Sequence, residues 1–508
     1  MSTLHPPIVC SAVVAVLAAC LGERGAFTNR MAQSATTYLA RAARQPVRWQ
    51  PWGRDAFALA ARLDRPVLLY IGSNVCRWCT QSDREIYTDP DIGTIINTLF
   101  VPVRVDRDER PDVAQHYQAA IEHLVGLRGW PLTVFLTADG SAFFGGTYFP
   151  ADDPITGRGL KQLLPEIARS YHNQRPSIDE QAALLRELVR SNSGQLRGVL
   201  RPSLVQEGLA SVRRDIEAAV RNRAMSGSVM YAEATALLLS GDSAARATAR
   251  RALDQMLDTT VASAGEDPPR LVRAALATTL ASAWGVTGEL HYRDLGRARV
   301  RELATELADL DALRPKDAVF ADQESYVIEH LLIASGAFGE SAAVHHAIRA
   351  LDALLQRTYA RAWGVRHAVA KGAASVPAPL GLLQDQVQVA AACLAAQHIS
   401  RDARYLDVAK DLVAVIERAY ADSQGGYYDT SVPFLDERGK RIFDDVLPGP
   451  NAQMALVLAN LASVTNDLMY RRRARRTLET FAGALRDPLD AIRSTTFLAA
   501  ARQTLEIP

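Results

Sequence analysis

The spacing of apolar residues changes character once along this chain, and that change divides it in two. Up to about residue 150, short apolar runs of strand length alternate with stretches of helical spacing. "PVLLYIGS" (66–73) is an unbroken β-rich run, the pattern of a strand covered on both faces. "VPVRVD" (101–106), "PLTVFLT" (131–137) and "SAFFGGTYF" (141–149) predict three more strands, the last two joined by the turn "ADG". Helical spacing fills the intervals at 53–64, 89–100 and 111–126, the second with acidic residues in its first turn. Strands alternating with helices predict an α/β domain. After "TYFP", from about residue 155, the strand signal vanishes apart from short loop patches. The rest is Ala/Leu/Arg-rich with helical periodicity.

That second part repeats itself. Segments starting at Asp322, Asp385 and Asn451 each read as helix, short polar turn, helix, and 270–307 has the same shape. Helical hairpins of this kind bury their faces on one another. Periodicity allows an open solenoid or a closed toroid.

A length of 508 residues predicts two or three domains, and 48% apolar with 22% charged residues is ordinary globular composition. A net charge of +1 gives no basic footprint for nucleic acid. The five cysteines, Cys10, Cys20, Cys76, Cys79 and Cys393, form no disulfide framework. "IVCSAVVAVLAAC" (8–20) is too short to span a membrane comfortably and suits the apolar core of a signal peptide. It ends in Leu17-Ala18-Ala19-Cys20, which is similar to a bacterial lipobox with Cys20 as the lipidated residue. The preceding "MSTLHPP" has no Lys or Arg, so an uncleaved anchor or a misassigned start are the alternatives. A working leader implies a periplasmic or membrane-tethered protein, and a non-functional one a cytoplasmic protein.

Cys76 and Cys79 flank Arg77 and Trp78 directly after the predicted strand 66–73. A Cys-x-x-Cys between a buried strand and a helix is the thioredoxin arrangement. The helix N-terminus and the Arg77 cation both stabilise a thiolate at Cys76, and Cys79 one turn on can resolve a mixed disulfide. Pro131 stands just before a strand, where such a domain carries its groove proline, and Trp130 precedes it. Two other readings stay open. Zinc needs two further ligands, for which His116 and His123 are the nearest histidines, and there is no second Cys-x-x-Cys. The pair could also be two buried, inert thiols.

"NRMAQSATTYLARAARQPVRWQPWG" (29–53), "CRWC" (76–79), "VPVRVDRDERPDV" (101–113), "GWPLTVFLTADG" (129–140) and "FFGGTYFP" (143–150) occur in order. Together they resemble the spermatogenesis-associated protein 20 family, whose members carry a thioredoxin-like domain followed by an α/α toroid. The match begins before Met31, against a start there. The resemblance implies a leader at 1–28, a thioredoxin-like domain at 29–175, a helical connector at 176–202 and an α/α toroid-like domain at 203–508. About five hairpins fit, fewer than the six of a complete toroid, so an incomplete or distorted ring is expected. The family usually reads Cys-His-Trp-Cys-His; Arg77 and Thr80 replace both histidines here. "GGYYDT" (425–430), "PGPNA" (448–452) and "LLQDQ" (382–386) fit the family's toroid, while two segments expected to line its cavity have no counterpart. Asp322, Asp385, Asp429 and Asn451 are the candidates to line what remains; otherwise a carboxylate at a helix start is a cap. Paired-carboxylate sugar chemistry there rests on fold analogy alone.

The expected function is a thiol–disulfide oxidoreductase. Cys76 attacks and Cys79 resolves; Arg77, Trp78, Trp130 and Pro131 shape the substrate groove. Protein thiols or disulfides are the partners, with a membrane tether if the leader works, and with no nucleic acid, cofactor or metal. The alternative is a thioredoxin-fold scaffold whose helical domain binds a protein or carbohydrate. Trp49 and Trp52 are expected at the domain edge, and the charge run Asp106–Arg110 as a solvated loop, which the resemblance allows to shape the active-site surface instead.

Overall fold

The computed structural model describes residues 27–152, 158–191, 196–222, 228–262, 268–307, 309–310, 312, 318–370, 381–433 and 438–506. The expected leader, with Cys10 and Cys20, lies outside them. The chain divides into two compact units with the main boundary at Arg186–Glu187, Pro111–His116 grouping with the second.

The first unit is built on a five-stranded sheet. Its strands are β1 (Gln50–Pro51), β2 (Val67–Gly72), β3 (Val101–Asp106), β4 (Leu132–Leu136) and β5 (Ala142–Gly146), in the order β1-β3-β2-β4-β5. β1 and β2 run parallel to β3, while β4 is antiparallel to both β2 and β5. Every residue of β2, β3 and β4 is buried, as their continuous apolar runs require. The helices are α1 (Thr37–Arg41), α2 (Arg54–Leu63), α3 (Arg77–Glu85), α4 (Pro90–Leu99), α5 (Pro111–Val125), α6 (Leu160–Asn173) and α7 (Arg175–Ser191).

Two expectations fail in this unit. Trp49 is not at the domain's edge: it is fully buried against Tyr70 and Tyr87, and its indole N–H donates to Gln45 at 2.7 Å. The edge belongs instead to the two-residue β1, where Pro51 can sit because an edge strand tolerates a missing N–H. Asp106, read as the start of a solvated run, is buried at the end of β3. Arg104 is buried too, its guanidinium 4.4 Å from the centre of the Tyr38 ring and 2.7 Å from Asp83.

The second unit is a ring of helix pairs. Its helices are α8 (Pro202–Asn222), α9 (Ser228–Leu238), α10 (Ser243–Ala262), α11 (Arg270–Thr287), α12 (Leu290–Thr305), α13 (Ala321–Phe338), α14 (Ser341–Thr358), α15 (Leu383–Ser400), α16 (Ala403–Ala419), α17 (Pro450–Thr465), α18 (Leu468–Phe481), α19 (Pro488–Ile492) and α20 (Thr495–Thr504). α9, α11, α13, α15, α17 and α20 pack side by side in that order, and α20 returns to α9. α10, α12, α14, α16 and α18 each pack outside the inner helix that precedes them, and α8 packs against both α9 and α20. The inner helices are the more deeply buried, and Leu383–Leu394 of α15 is buried without a break. The ring is therefore closed with six pairs, not incomplete. The sixth pair, α8 with α20, joins the two ends of the unit, so no contiguous hairpin announces it. The unit also carries short strands that helical spacing does not predict: β6 (Ala318–Phe320) pairs with β9 (Ala368–Ala370), and β7 (Tyr359–Ala360) with β8 (Gly364–Val365).

Candidate active site around Cys76 and Cys79

β2 ends at Gly72, a three-residue turn follows, and Cys76 is the N-cap of α3. Its Sγ accepts the backbone N–H of Cys79 at 3.1 Å, the hydrogen bond that a capping side chain makes. The two sulfurs are joined in a disulfide, with Cα atoms 5.2 Å apart. Cys76 is half-buried and Cys79 fully buried. The pair thus has an outer sulfur at a helix N-terminus and an inner one under the first turn.

The surroundings are apolar and open. Val75 is 70% exposed and Trp78 53%, the latter with its ring 5.4 Å from that of Tyr148. Arg77 is exposed. Ile71 lies opposite Leu132, so Pro131 comes just beyond the last pair, at the same sheet edge as the cysteines. The Trp130–Pro131 peptide is cis. Pro131 is buried, and Trp130 is half-buried with the Arg107 guanidinium 5.3 Å from its ring centre. Gly129, at φ +129°, donates its N–H to Gln118 at 3.0 Å. That conformation favours glycine. The predicted groove residues Arg77, Trp78, Trp130 and Pro131 therefore share one end of the sheet with the cysteines.

Two further groups lie around Gly72 beside the disulfide: Tyr38, which the sequence reading missed, and Asp106, which it placed only in a charge run. Asp106 is the register partner of Gly72; its carboxylate accepts the Asp108 N–H at 3.0 Å and is bonded to Thr36. Burial, reinforced by Asp108, pushes it up to about 7. Gly72 itself is closed in: a methyl group there would overlap the Tyr38 hydroxyl and come within 2.9 Å of Cys79 Sγ. Tyr38 lies in a stretch with no strand period, and Asp106 is hidden in a charge run.

In the helical unit the four predicted polar residues separate into two groups. Asp322 and Asp385, near the starts of α13 and α15, meet at His367, whose Nδ1 is 2.8 Å from Asp385 and 4.0 Å from Asp322. All three are buried, with candidate ligand atoms within 4.8 Å of one another, the only such trio among the described residues. Their donors suit a divalent metal, while the 2.8 Å separation is that of a charge-assisted hydrogen bond. Asp385 also accepts the Leu382 N–H at 2.7 Å, closing the start of its helix as a cap does, while Asp322 accepts the adjacent Gln323 N–H at 2.8 Å. Asp429 and Asn451 instead tie a loop. Asp429 accepts from Arg441, and Asn451 bonds the N–H and C=O of Tyr427 and the C=O of Arg441. His367 was missed because it sits in a short extended patch.

A five-stranded sheet of this order, with a Cys-x-x-Cys at the N-terminus of the helix leaving its central strand, defines a thioredoxin-like domain. Residues 28–190 match the Thioredox_DsbH family model, described as a protein of unknown function, DUF255. The chain is 35% identical to the uncharacterized protein B0495.5 of Caenorhabditis elegans over 164 residues, 32% of this chain and 22% of that protein. It is 36% identical to spermatogenesis-associated protein 20 of Homo sapiens over 152 residues, 30% of this chain and 19% of that one. The match thus spans about a fifth of the length of these curated relatives. Among solved structures, the chain is similar to an unsaturated glucuronyl hydrolase specific for heparin (15% identity, TM-score 0.47, 60% of this chain and 98% of that one). It is also similar to a D-mannose isomerase (13% identity, TM-score 0.42, 56% and 87%).

Proposed function

We propose that the thioredoxin-like domain is a thiol–disulfide oxidoreductase acting on protein thiols or disulfides. One observation carries this reading: Cys76 Sγ caps a helix and is half-exposed, while Cys79 is wholly buried one turn inside. Unpaired N–H groups at a helix start stabilise negative charge on the capping sulfur. Such a setting brings a thiol from about 8.5 into the range of roughly 3.5–7.5. As a reductant, the Cys76 thiolate bonds to one sulfur of a substrate disulfide, and the other leaves as a thiolate. Cys79, deprotonated, then attacks Cys76 Sγ; the mixed disulfide breaks, the second substrate sulfur leaves, and the Cys76–Cys79 bond forms. The exposed Val75 and Trp78 supply apolar contact for a protein partner. If the leader is lipidated at Cys20, this exchange takes place at a membrane surface.

Insulin reduction with the wild type, and capture of mixed disulfides on Cys76 in Cys79→Ser, test the reading. Turnover in the first and trapped substrate in the second are expected. Neither turnover nor trapped adducts would contradict it.

A second reading, a ring that binds a carbohydrate or protein partner, is supported by polar groups on the inner helices. Glu233 Oε2, Gln384 Nε2 and Gln388 Oε1 are buried with no hydrogen-bond partner. Burial pushes Glu233 up to about 8 and Glu329, bonded by Gln388, up to about 7. Calorimetry of the full chain against neutral oligosaccharides checks this, and absence of any heat at millimolar sugar argues against the carbohydrate form.

A further inference from the structure

A hydroxyl with nothing to bond lies beside the inner sulfur. Tyr38 is fully buried, and its hydroxyl has no hydrogen-bond partner. Leaving a buried polar group unpaired is costly unless some other state of the protein pairs it. The ring is held firmly. Thr36 caps α1 by accepting the Leu39 N–H at 3.3 Å, and the Arg104 guanidinium lies over the Tyr38 ring. The hydroxyl and Cys79 Sγ press on the same face of Gly72, where an added methyl would meet both.

Apart from the buried Arg104 Nε, which has no partner, the other polar groups around Tyr38 are engaged. Arg104 pairs with Asp83, Asp106 is bonded to Thr36 and the Asp108 N–H, and the Tyr87 hydroxyl bonds Thr133. The Tyr70 hydroxyl lies 3.5 Å from the Cys79 carbonyl. The Tyr38 hydroxyl is an uncommitted donor beside the sulfur.

We propose that Tyr38 is a positioning residue for Cys79, its hydroxyl donating a hydrogen bond to the sulfur that is released when the disulfide opens. The assignment rests on Cys76 and Cys79 being a cycling pair. When an external thiolate bonds to Cys76 Sγ, the Cys76–Cys79 bond breaks and its electron pair stays on Cys79 as a thiolate. That charge appears at a fully buried site, where one charge-assisted hydrogen bond counts heavily. In the disulfide the sulfur carries no charge, and the hydroxyl is left unbonded.

The test is the thiol–disulfide equilibrium of the full chain in glutathione buffers from pH 6 to 9, for wild type, Tyr38→Phe and Ser73→Ala. Ser73 is the comparison because its buried hydroxyl, in the turn before Cys76, is also unpaired. Tyr38→Phe removes a bond made only in the reduced form. It should shift the equilibrium toward disulfide by about tenfold or more, with the shift growing as pH rises and Cys79 ionises. Ser73→Ala should move it less than about twofold. In a Cys79→Ser background, Tyr38→Phe should leave the alkylation rate of Cys76 unchanged. If wild type cycles but Tyr38→Phe has the same midpoint and pH slope, or the shift appears in Ser73→Ala instead, the role of Tyr38 is refuted and the redox reading survives. If wild type forms no reversible disulfide, the redox reading itself falls. Should Tyr38→Phe not fold, the tyrosine 13Cζ spectrum of wild type decides. At least one resonance should move on reduction, and none moving overturns the proposal.

Discussion

Replacing Asp106 with Asn should change how the stability of the thioredoxin-like domain depends on pH. Asp106 is buried, and desolvation with the neighbouring Asp108 raises it from 3.8 to about 7. Its folded-state pKa thus lies above its unfolded value. Its contribution is fully present below pH 4 and is lost as pH rises through 7, because between those values the folded form holds a proton that the unfolded form has released. A shift of about three units corresponds to about 4 kcal/mol. Asn carries no charge at any pH and can still accept the Asp108 N–H, at a cost of about 1 kcal/mol for imperfect replacement of the bond with Thr36. The variant should therefore be slightly less stable than wild type at pH 4 and more stable by roughly 2–4 kcal/mol at pH 8. Urea unfolding of the disulfide form, followed by tryptophan emission at pH 4, 6 and 8, measures this; Trp49 reports the core around β2 and β3. Parallel pH dependences in the two proteins would refute a perturbed Asp106.

Asp83→Asn leaves the buried Arg104 cation without its carboxylate, and should destabilise the domain by about 3 kcal/mol in the same melts, the low end for a broken buried pair because Asp83 is 15% exposed. Arg77→Glu should slow alkylation of Cys76 at pH 7 on the order of threefold, a modest effect because Arg77 is exposed and screened. Cys20→Ser should move the protein from the membrane to the soluble fraction if Leu17-Ala18-Ala19-Cys20 is a lipobox, and identical fractionation of both forms would dismiss the tether.

What the sequence showed depended on how far each feature spreads along the chain. β2, β3 and β4 were legible because strands covered on both faces must be apolar throughout. β1 was not, since two residues ending in Pro51 carry no period. The Cys pair was legible from its place after β2, but the polar layer beneath it was not. Tyr38 reaches it from α1 and Asp106 from the end of β3, and only the register of Gly72 with Asp106 brings them together. In the helical unit, hairpins were visible wherever partners are consecutive. Closure of the ring was not, because α8 and α20 meet from opposite ends of the unit. Asp322 and Asp385 were found as helix starts, whereas His367, which joins them, lies in an extended patch between helices.

The most direct test of the redox reading is a titration of the Cys76–Cys79 pair in glutathione buffers, followed by alkylation and mass spectrometry across pH. The expected result is one reversible two-electron midpoint, with Cys76 modified first and already reactive below pH 7. Modification of Cys79 first, or no reaction of either thiol until the protein unfolds, would contradict it.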